Sequence, residues 1–264
     1  MNTRKLFEHV ISKTSDRPNI NGYVLNNSDN LLNGLSVDIF QDDLIQGSGN
    51  ELKSKFNAVF SSSALGVNNF AIVKQQLDKF EFLGESNFTK AQFERQFRTG
   101  LGGTPPNLDF TIENDKTIIA FESKYLEPLE RTEVKFTESY NKENLNYLDS
   151  YWFDLMKKYR NGKFYLDIAQ LIKHSIGLIN YKKTHPIKKM ILVYIYWTPK
   201  NYKEYIEYIE HQKEINEFTK DLKQQNDIEF ITMTYCQFWA ENSKTKELKD
   251  HFDKVKERYD LEIK

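Results

Sequence analysis

Residues 104 to 124, TPPNLDFTIENDKTIIAFESK, hold two short runs of alternating apolar and polar residues on either side of a polar turn. This pattern predicts an antiparallel hairpin. With an even number of turn residues, each cross-strand pair joins an odd-numbered position to an even-numbered one. Because side chains alternate between the faces of a strand, Asp109, Glu122 and Lys124 are then expected to share one face.

The opposite face of the hairpin is apolar and is expected to pack on the core. It comprises Leu108, Phe110, Ile112, Ile119 and Phe121. Two acids and an amine in front of an apolar layer predict a metal site with a built-in cation. Carboxylates are hard oxygen ligands that suit Mg²⁺, with Mn²⁺ as a substitute. A bound metal lowers the pKa of its water and an amine stabilises developing negative charge, which suits hydrolysis of a phosphodiester.

An acid followed two residues later by lysine is common in this charged chain, and its usual meaning is a solvated face. The pattern occurs six times, beginning at Glu51, Glu122, Glu133, Asp221, Glu247 and Glu262. Glu122 differs from the others because it follows an apolar β-run, TIIAF, and because a Leu-Asp pair enters the preceding strand after two prolines. This context favours a functional role for Glu122.

The composition indicates a folded protein with one large domain or two small ones. The chain has 264 residues, a formal net charge of −1 and a single cysteine, Cys236. A near-neutral charge argues against coating nucleic acid by bulk attraction but allows a local basic groove. One cysteine rules out an internal disulfide and a cysteine-based zinc site. The first residues lack the apolar core of a signal peptide and no run is long enough to span a membrane, so we expect a cytoplasmic protein with no membrane partner.

Strand and helix patterns alternate along most of the chain. The predicted strands are 93–98, the hairpin, the continuously apolar run 189–197 and 228–235. The predicted helices are 52–60 after a capping box at Ser48, then 69–82, 143–160, 167–181, 201–225 and 243–260. The strand–helix–strand order near the end of the chain implies parallel pairing. Together they predict an α/β domain with a central mixed sheet flanked by helices, over residues 46–264, preceded by residues 1–45 of uncertain role.

The motif LD followed by AFESK resembles the bipartite motif of the PD-(D/E)XK nuclease superfamily, the restriction-endonuclease-like fold. Pro106 stands three residues before Asp109, a looser proline–acid spacing than the superfamily's name suggests. The flanking segments ELKSKFNAVFSSSALGVN, FERQFRTGLGGTPPNLD and DIAQLIKH are similar to a bacterial restriction-type subgroup, over about residues 48 to 180. The resemblance implies a three-layer restriction-endonuclease-like fold and nuclease chemistry.

Carried over to this chain, the resemblance makes Asp109 and Glu122 the metal ligands and Lys124 the catalytic lysine. The main-chain carbonyl of Ser123 would join the metal shell. Glu51 matches an acid that many members place on the helix before the first core strand. Glu51 has an equally good alternative, which is to complete the capping box with Ser48. Glu94 is a weaker candidate for a nearby acid.

In DIAQLIKH, the residues Gln170, Lys173 and His174 lie near one side of a predicted helix. In the superfamily the equivalent helix often directs a Gln or Lys toward the active site, so these three are the predicted DNA contacts. For His174, a phosphate contact is favoured over a role as general base. A polar solvent face is the alternative for all three residues.

Bases greatly outnumber acids between residues 157 and 189, and tyrosines are interleaved with them. The bases are Lys157, Lys158, Arg160, Lys163, Lys173, Lys182, Lys183, Lys188 and Lys189. Such a segment would suit a groove that tracks a nucleic-acid backbone, although charged faces usually serve solubility.

These observations and the resemblance predict a Mg²⁺-dependent DNA endonuclease of restriction or antiphage-defence type. The resemblance implies products with 5′-phosphate ends, double-stranded DNA as the partner and a homodimer. Two alternatives stay open: a nucleic-acid-binding module that keeps the fold without turnover, and a repair or transposition nuclease with the same chemistry.

Overall fold

A five-stranded mixed sheet forms the centre of this computed structural model, which describes residues 2–46, 55–243 and 246–264. The spatial order of the strands is β1-β2-β3-β6-β7, and β4 pairs with β5 in a separate two-stranded sheet. The strands are β1 Lys90–Gln96, β2 Asn107–Glu113, β3 Thr117–Lys124, β4 Thr132–Glu133, β5 Lys163–Phe164, β6 Lys189–Tyr196 and β7 Glu229–Thr234. The pairs β1–β2 and β2–β3 are antiparallel, whereas β3–β6 and β6–β7 are parallel.

Helices cover both faces of this sheet. The α-helices are α1 Thr3–Thr14, α2 Gln41–Gln46, α3 Ser62–Gln75, α4 Ser150–Tyr159, α5 Ile168–Lys182, α6 Ile206–Leu222, α7 Tyr235–Asn242 and α8 Lys246–Tyr259. One apolar cluster holds buried residues of α1, α3, α7 and α8, and a second cluster holds those of α4, α5 and most of α6. The predicted α/β class with a central mixed sheet flanked by helices is confirmed.

The register of the central hairpin has the predicted parity. Phe110 pairs with Phe121 and Glu113 pairs with Ile118, which leaves a turn of four residues, 114 to 117. The turn closes because the side-chain oxygen of Asn114 accepts hydrogen bonds from two main-chain N–H groups of the same turn. Phe110 and Phe121 lie on one face, where Phe70 of α3 packs against both rings at 4.8 and 4.9 Å between centroids.

The pairing parity of the hairpin predicts the wrong face of the sheet for Leu108. The ladder between β2 and β3 ends at the Phe110–Phe121 pair, and β2 continues beyond it only against β1, where Glu94 has a positive φ of 50°. Regular alternation therefore stops at this point. Leu108 packs with Ala120 in the second cluster, on the side of the sheet opposite Phe110.

The interior of the sheet is buried on both faces, as the apolar run at 189–197 predicted. Seven of the eight residues of β6 are buried, and β6 lies between β3 and β7. In the parallel ladder Glu122 is opposite Tyr194 and Lys124 is opposite Tyr196. The polar residues of β3 therefore come at its carboxyl end, beside the end of β6, after a strand that is otherwise apolar.

Several predicted helices have other bounds in the structure. The predicted helix 52–60 is wrong in its described part: Lys55–Asn57 form a short 3-10 segment and residues 58–60 are not helical, while residues 52–54 lie outside the described residues. The predicted helix 69–82 begins earlier, at Ser62, where the side chain of Ser61 accepts a hydrogen bond from the N–H of Ala64, and α3 ends at Gln75. In the predicted helix 143–160, Asp149 caps the helix in the same way, so it begins at Ser150.

The first 45 residues pack onto the sheet. Phe7 and Ile11 of α1 and Phe40 are buried in the same apolar cluster as Phe121 of β3. Phe7 contacts the ring of Trp197, just after β6, at 6.3 Å between centroids. Within the described residues, no helix is long and apolar enough to cross a membrane.

Two helical glycines predict opposite effects of the same substitution. A Cβ at Gly177 in α5 would lie 2.5 Å from the carbonyl oxygen of Phe97, so Gly177→Ala should destabilise the fold by about 1–3 kcal/mol. A Cβ at Gly66 in α3 would lie 3.7 Å from Ser123 Oγ, an ordinary van der Waals contact. Gly66→Ala should stabilise the fold by about 0.5–1 kcal/mol through helix propensity. Urea unfolding measures both, and equal effects would contradict this packing of α5.

His211 predicts a loss of stability in mild acid. The ring is fully buried in α6, and its Nε2 lies 2.8 Å from the hydroxyl of Tyr194. Burial lowers the pKa of His211 from 6.5 to about 3. The folded state therefore holds a neutral ring, and the stability this contributes is complete above pH 6.5 and declines as the pH falls toward 3.

Because of His211, we expect the free energy of unfolding to fall by about 2 kcal/mol when the pH is lowered from 7 to 5. His211→Gln removes the titrating ring and keeps a hydrogen-bonding group near Tyr194. The decrease between the two pH values, measured by urea unfolding, should be smaller in this variant than in wild type. Parallel curves would mean that His211 does not contribute the pH dependence.

Candidate active site

A cavity of about 630 Å³ opens at the carboxyl end of β3 and collects the predicted site residues Asp109, Glu122, Ser123 and Lys124. Gln170 of α5 lines the same cavity. The carboxyl ends of parallel strands meet at one edge of a sheet, where open α/β folds form their ligand sites. The hairpin and α5, far apart in the sequence, therefore meet at one pocket.

Glu122 is the most buried ionisable group of the site, with 1% of its side chain exposed. Its Oε1 lies 2.5 Å from the ammonium nitrogen of Lys124, and its Oε2 lies 2.9 Å from Nε2 of His174. The contact between His174 Nε2 and Glu122 Oε2 is short, but it does not have the angles of a regular hydrogen bond. Neither atom has a hydrogen-bond partner among the described residues. A carboxylate this deep is held in place by its cationic neighbour, because an unpaired buried charge is costly.

Lys124 bridges β3 and α5. Its Nζ donates a hydrogen bond of 2.8 Å to Oε1 of Gln170 and also contacts Glu122. Burial alone would lower the pKa of Lys124, but Glu122, and then Glu127, outweigh it and raise the pKa above its usual range. Lys124 is therefore a fixed ammonium ion, a group suited to stabilising negative charge and to orienting a ligand rather than to accepting a proton.

Asp109 occupies the point where β2 leaves its ladder with β3. Its Oδ2 accepts a hydrogen bond of 2.6 Å from the main-chain N–H of Ser123. In a regular ladder this N–H would donate to a carbonyl of the neighbouring strand. Burial, followed by the charges of Glu122 and Glu94, raises the pKa of Asp109 well above its usual range. The two carboxylates repel one another across the pocket, which is the electrostatic state that a bound cation would relieve.

Ser123 connects the pocket to the helices behind the sheet. Its hydroxyl is 2.6 Å from the hydroxyl of the fully buried Tyr235, and its carbonyl is 3.4 Å from the hydroxyl of Ser62. Ser62 and Ser63 begin α3 and line the cavity. The amino end of a helix carries partial positive charge, so this wall favours an anion such as phosphate.

The donor set at the pocket fits a hard divalent cation. Asp109 and Glu122 supply carboxylate oxygens and Ser123 supplies a main-chain carbonyl, the ligand types that Mg²⁺ and Mn²⁺ prefer. Within the described part of the chain, no cluster of three His, Cys, Asp or Glu side chains is arranged to hold a metal. The site would therefore combine two carboxylates with main-chain and solvent oxygens.

The other predicted site residues have different positions. Gln170 reaches the cavity and holds Lys124. His174 is 1% exposed behind Glu122, and the expected phosphate contact is wrong because a phosphate cannot reach a buried ring. Lys173 is directed toward the rings of Phe136 and Tyr140, at 5.9 Å from each, and does not line the cavity. Glu51 lies outside the described residues.

The predicted basic groove at 157–189 is not assembled at this pocket. None of its bases lines the cavity of Asp109 and Glu122. Several are paired with acids instead: Lys158 with Asp221, Lys188 with Glu113, and Lys189 with Glu229. Lys189 begins β6, at the end of the sheet opposite the pocket, whereas Gln170 of the same segment does line the cavity.

Sequence patterns missed several residues of the cavity. These are Glu127, Arg4, Tyr23, Lys55 and Phe60, whereas Glu94, the weaker candidate for a nearby acid, was named from the sequence and lines the cavity too. Glu127 follows Lys124 by three residues, and its Oε2 accepts a hydrogen bond of 2.7 Å from the N–H of Tyr125. Its closeness to Lys124 in sequence was the only available signal, since the amino-terminal residues reach the pocket through tertiary packing.

A family model described as "Restriction Endonuclease associating with ARP" matches residues 16–260, and the chain belongs to this family. The match supports a restriction-endonuclease-type protein and hence a nuclease that acts on DNA. No curated protein and no solved structure matches the chain.

The repulsion at the pocket predicts opposite effects for two neutral substitutions in metal-free protein. Asp109→Asn keeps an oxygen for the Ser123 N–H and removes the repulsion from Glu122, so it should raise the unfolding temperature. Glu122→Gln leaves the Lys124 ammonium without its main partner and should cost about 3 kcal/mol. Thermal unfolding in EDTA tests both, and a lower unfolding temperature for Asp109→Asn would contradict the account of the pocket.

Proposed function

We propose that this member of the restriction-endonuclease family is a metal-dependent DNA endonuclease that hydrolyses phosphodiester bonds at the pocket of Asp109, Glu122 and Lys124 and leaves 5′-phosphate ends. The observation that carries the proposal is the convergence of these three groups at the carboxyl end of β3. A role in restriction or antiphage defence is part of the proposal, and the restriction-endonuclease family match supports it.

Each pocket residue has a separate role in the proposed hydrolysis. Asp109 and Glu122, with the carbonyl of Ser123, would hold Mg²⁺ or Mn²⁺. When bound, the ion supplies an activated water and offsets charge on the phosphate. Lys124, kept as an ammonium ion by Glu122 and aimed by Gln170, stabilises the negative charge that develops on the phosphoryl oxygens. The amino end of α3, where the Ser62 hydroxyl lies 3.4 Å from the Ser123 carbonyl, would attract the phosphate through its partial positive charge.

His174 has a positioning role in this scheme. Its ring is buried beside Oε2 of Glu122, on the side of the carboxylate away from Lys124's contact with Oε1. Lys124 and His174 thus hold the two oxygens of one carboxylate from two directions. This arrangement fixes the orientation of Glu122 toward the cavity.

A binding module without turnover remains the alternative, and the intact set of Asp109, Glu122 and Lys124 argues against it. The carboxylates are costly to keep together, because burial and mutual repulsion raise the pKa of Asp109. A module that needed only the fold would be more stable with a neutral residue at this position.

A cleavage assay with a matched control tests the proposal. Supercoiled plasmid is incubated with the protein and Mg²⁺ or Mn²⁺, beside single-stranded DNA and RNA. Glu122→Ala and Lys124→Ala should each lower the rate by at least about 100-fold, as removal of one charge-stabilising group does at other active sites. The control variants are Glu133→Ala and Lys135→Ala, which have the same acid–lysine spacing in an exposed pair 2.9 Å apart.

The two control variants should cut at the wild-type rate. Equal activity in all five proteins would contradict the site assignment. Binding of DNA without cleavage, with either metal and on every substrate, would favour the binding module. Inspection of the cut ends for a 5′-phosphate tests the chemistry separately, because a 5′-phosphate is what allows ligation of the products without kinase treatment.

A further inference from the structure

A tight turn near the amino terminus presents apolar side chains beside the active-site cavity. The main chains of Ile20 and Tyr23 exchange two hydrogen bonds, of 2.9 and 3.1 Å, with Asn21 and Gly22 between them. Both intervening residues have positive φ, 53° and 86°, which is the geometry of a tight two-residue hairpin turn. Ile20 is 80% exposed, Tyr23 is 49% exposed and Leu25 is 85% exposed.

This turn is held rigidly. The N–H of Val24 donates to the carbonyl of Asn57, and the N–H of Val59 donates to the carbonyl of Gly22, each at 2.9 Å. A Cβ at Gly22 would come within 2.5 Å of Ser12 Oγ and 2.7 Å of the Phe60 ring, so the turn is packed closely against α1 and the 55–60 segment. The exposed apolar groups are therefore presented on an ordered support and not on a loose loop.

Tyr23 connects the turn to the catalytic cavity. Its ring contacts Phe60 edge-on at 5.9 Å between centroids, and both side chains line the cavity that contains Asp109 and Lys124. The cations Arg4 and Lys55 line the same cavity, and Arg4 is also paired with Glu8 and Glu130. A half-exposed aromatic ring with neighbouring cations, next to a phosphate-cleaving site, is the arrangement that proteins use to stack a nucleobase and hold its backbone.

We propose that this turn, residues 20–25, is a stacking wedge: Tyr23 stacks on a base displaced from the duplex next to the scissile phosphate. Ile20 and Leu25, on either side of it in the chain, cover the apolar surface that the displaced base uncovers. This inference rests on the proposed nuclease function and makes its substrate class a DNA duplex that is unstacked at the cut. Apolar wedges that enter base steps unstack and kink DNA at a cost of a few kcal/mol, so flexible steps are the favoured targets.

DNA is the expected occupant of this apolar turn because Tyr23 of the turn also lines the cavity. A second copy of the chain could also cover exposed apolar residues, but it would block the mouth of the cavity that holds Asp109 and Glu122. A displaced base instead extends from the same phosphate backbone that must enter the cavity. The volume of about 630 Å³ falls in the range of pockets that hold ligand-sized groups.

Permanganate probing of plasmid DNA tests the wedge, because permanganate oxidises thymines that are unstacked. Wild-type protein with Mg²⁺ first maps the cut positions. Lys124→Ala protein is then bound to fresh plasmid, and thymines flanking those positions should become at least about fivefold more reactive than in free DNA. Adding Tyr23→Ala should return them to the reactivity of free DNA, whereas adding Tyr23→Phe, which keeps a ring, should preserve it.

Rates give a second measure. In the cleavage-competent background, Tyr23→Ala should lower cleavage about tenfold, the effect of losing one base–aromatic stack, and Tyr23→Phe should stay within about twofold of wild type. Ile187→Ser is the matched surface control: Ile187 is 81% exposed and lies just before β6, at the far end of the sheet. Thermal unfolding confirms that each variant is folded.

The outcomes separate this inference from the proposed function. Cleavage by wild type with thymine reactivity unchanged, or unaffected by Tyr23→Ala, overturns the wedge and leaves the nuclease standing. A change from dimer to monomer in Ile20→Ser, measured by light scattering, without any loss of reactivity, would assign the turn to self-association instead. Absence of both cleavage and DNA binding in wild type would overturn the nuclease and the wedge together.

Discussion

The buried ion pair of Glu122 and Lys124 is the constraint around which the pocket is built. β3 runs through the centre of the sheet with apolar residues on both faces and then places an acid and a base at its last positions. A carboxylate with 1% exposure is tolerated there because Lys124 pairs with it. In α5, Gln170 accepts a hydrogen bond from Lys124 and His174 lies beside Glu122, so these polar contacts add to the apolar packing of this helix.

The pKa values of the two carboxylates of the pocket, Glu122 and Asp109, are shifted in opposite directions. Burial would raise the pKa of Glu122, but the charge of Lys124 outweighs it and lowers this pKa, whereas burial and then the charges of Glu122 and Glu94 raise the pKa of Asp109. One carboxylate is thus stabilised as an anion and the other is strained by its neighbours. In the proposed enzyme a divalent cation would relieve that strain.

The hairpin and the main strands follow from local pattern. Alternation in TPPNLDFTIENDKTIIAFESK was enough to predict the pairing parity, and the apolar run at 189–197 was enough to predict a strand buried on both faces. The failures have physical causes. Leu108 was predicted on the wrong face because β2 leaves its ladder with β3 at Asp109. His174 looked like a polar surface residue because helical spacing does not show a buried partner such as Glu122.

The remaining part of the site depends on long-range packing that no local pattern encodes. Tyr23 and Phe60 come together because Gly22, Val24 and Asn57 lock two irregular segments to one another. Residues 20–25 show no helical or strand periodicity, and the helical spacing of Phe56, Val59 and Phe60 predicted a helix that the structure does not have there. The same limit applies to the lysine-rich stretch, whose composition suggested a groove but whose acids, Asp221 and Glu229, come from distant elements.

Binding of Mn²⁺ in solution tests the central claim most directly, because it does not depend on knowing a DNA target. Titration followed by electron paramagnetic resonance should show at least one bound ion in wild type. Binding should weaken by at least about tenfold in Glu122→Gln and Asp109→Asn, and stay unchanged in Glu133→Gln, whose carboxylate lies on the exposed β4. Equal binding in all four proteins, or none in wild type, would contradict a metal site at the carboxyl end of β3.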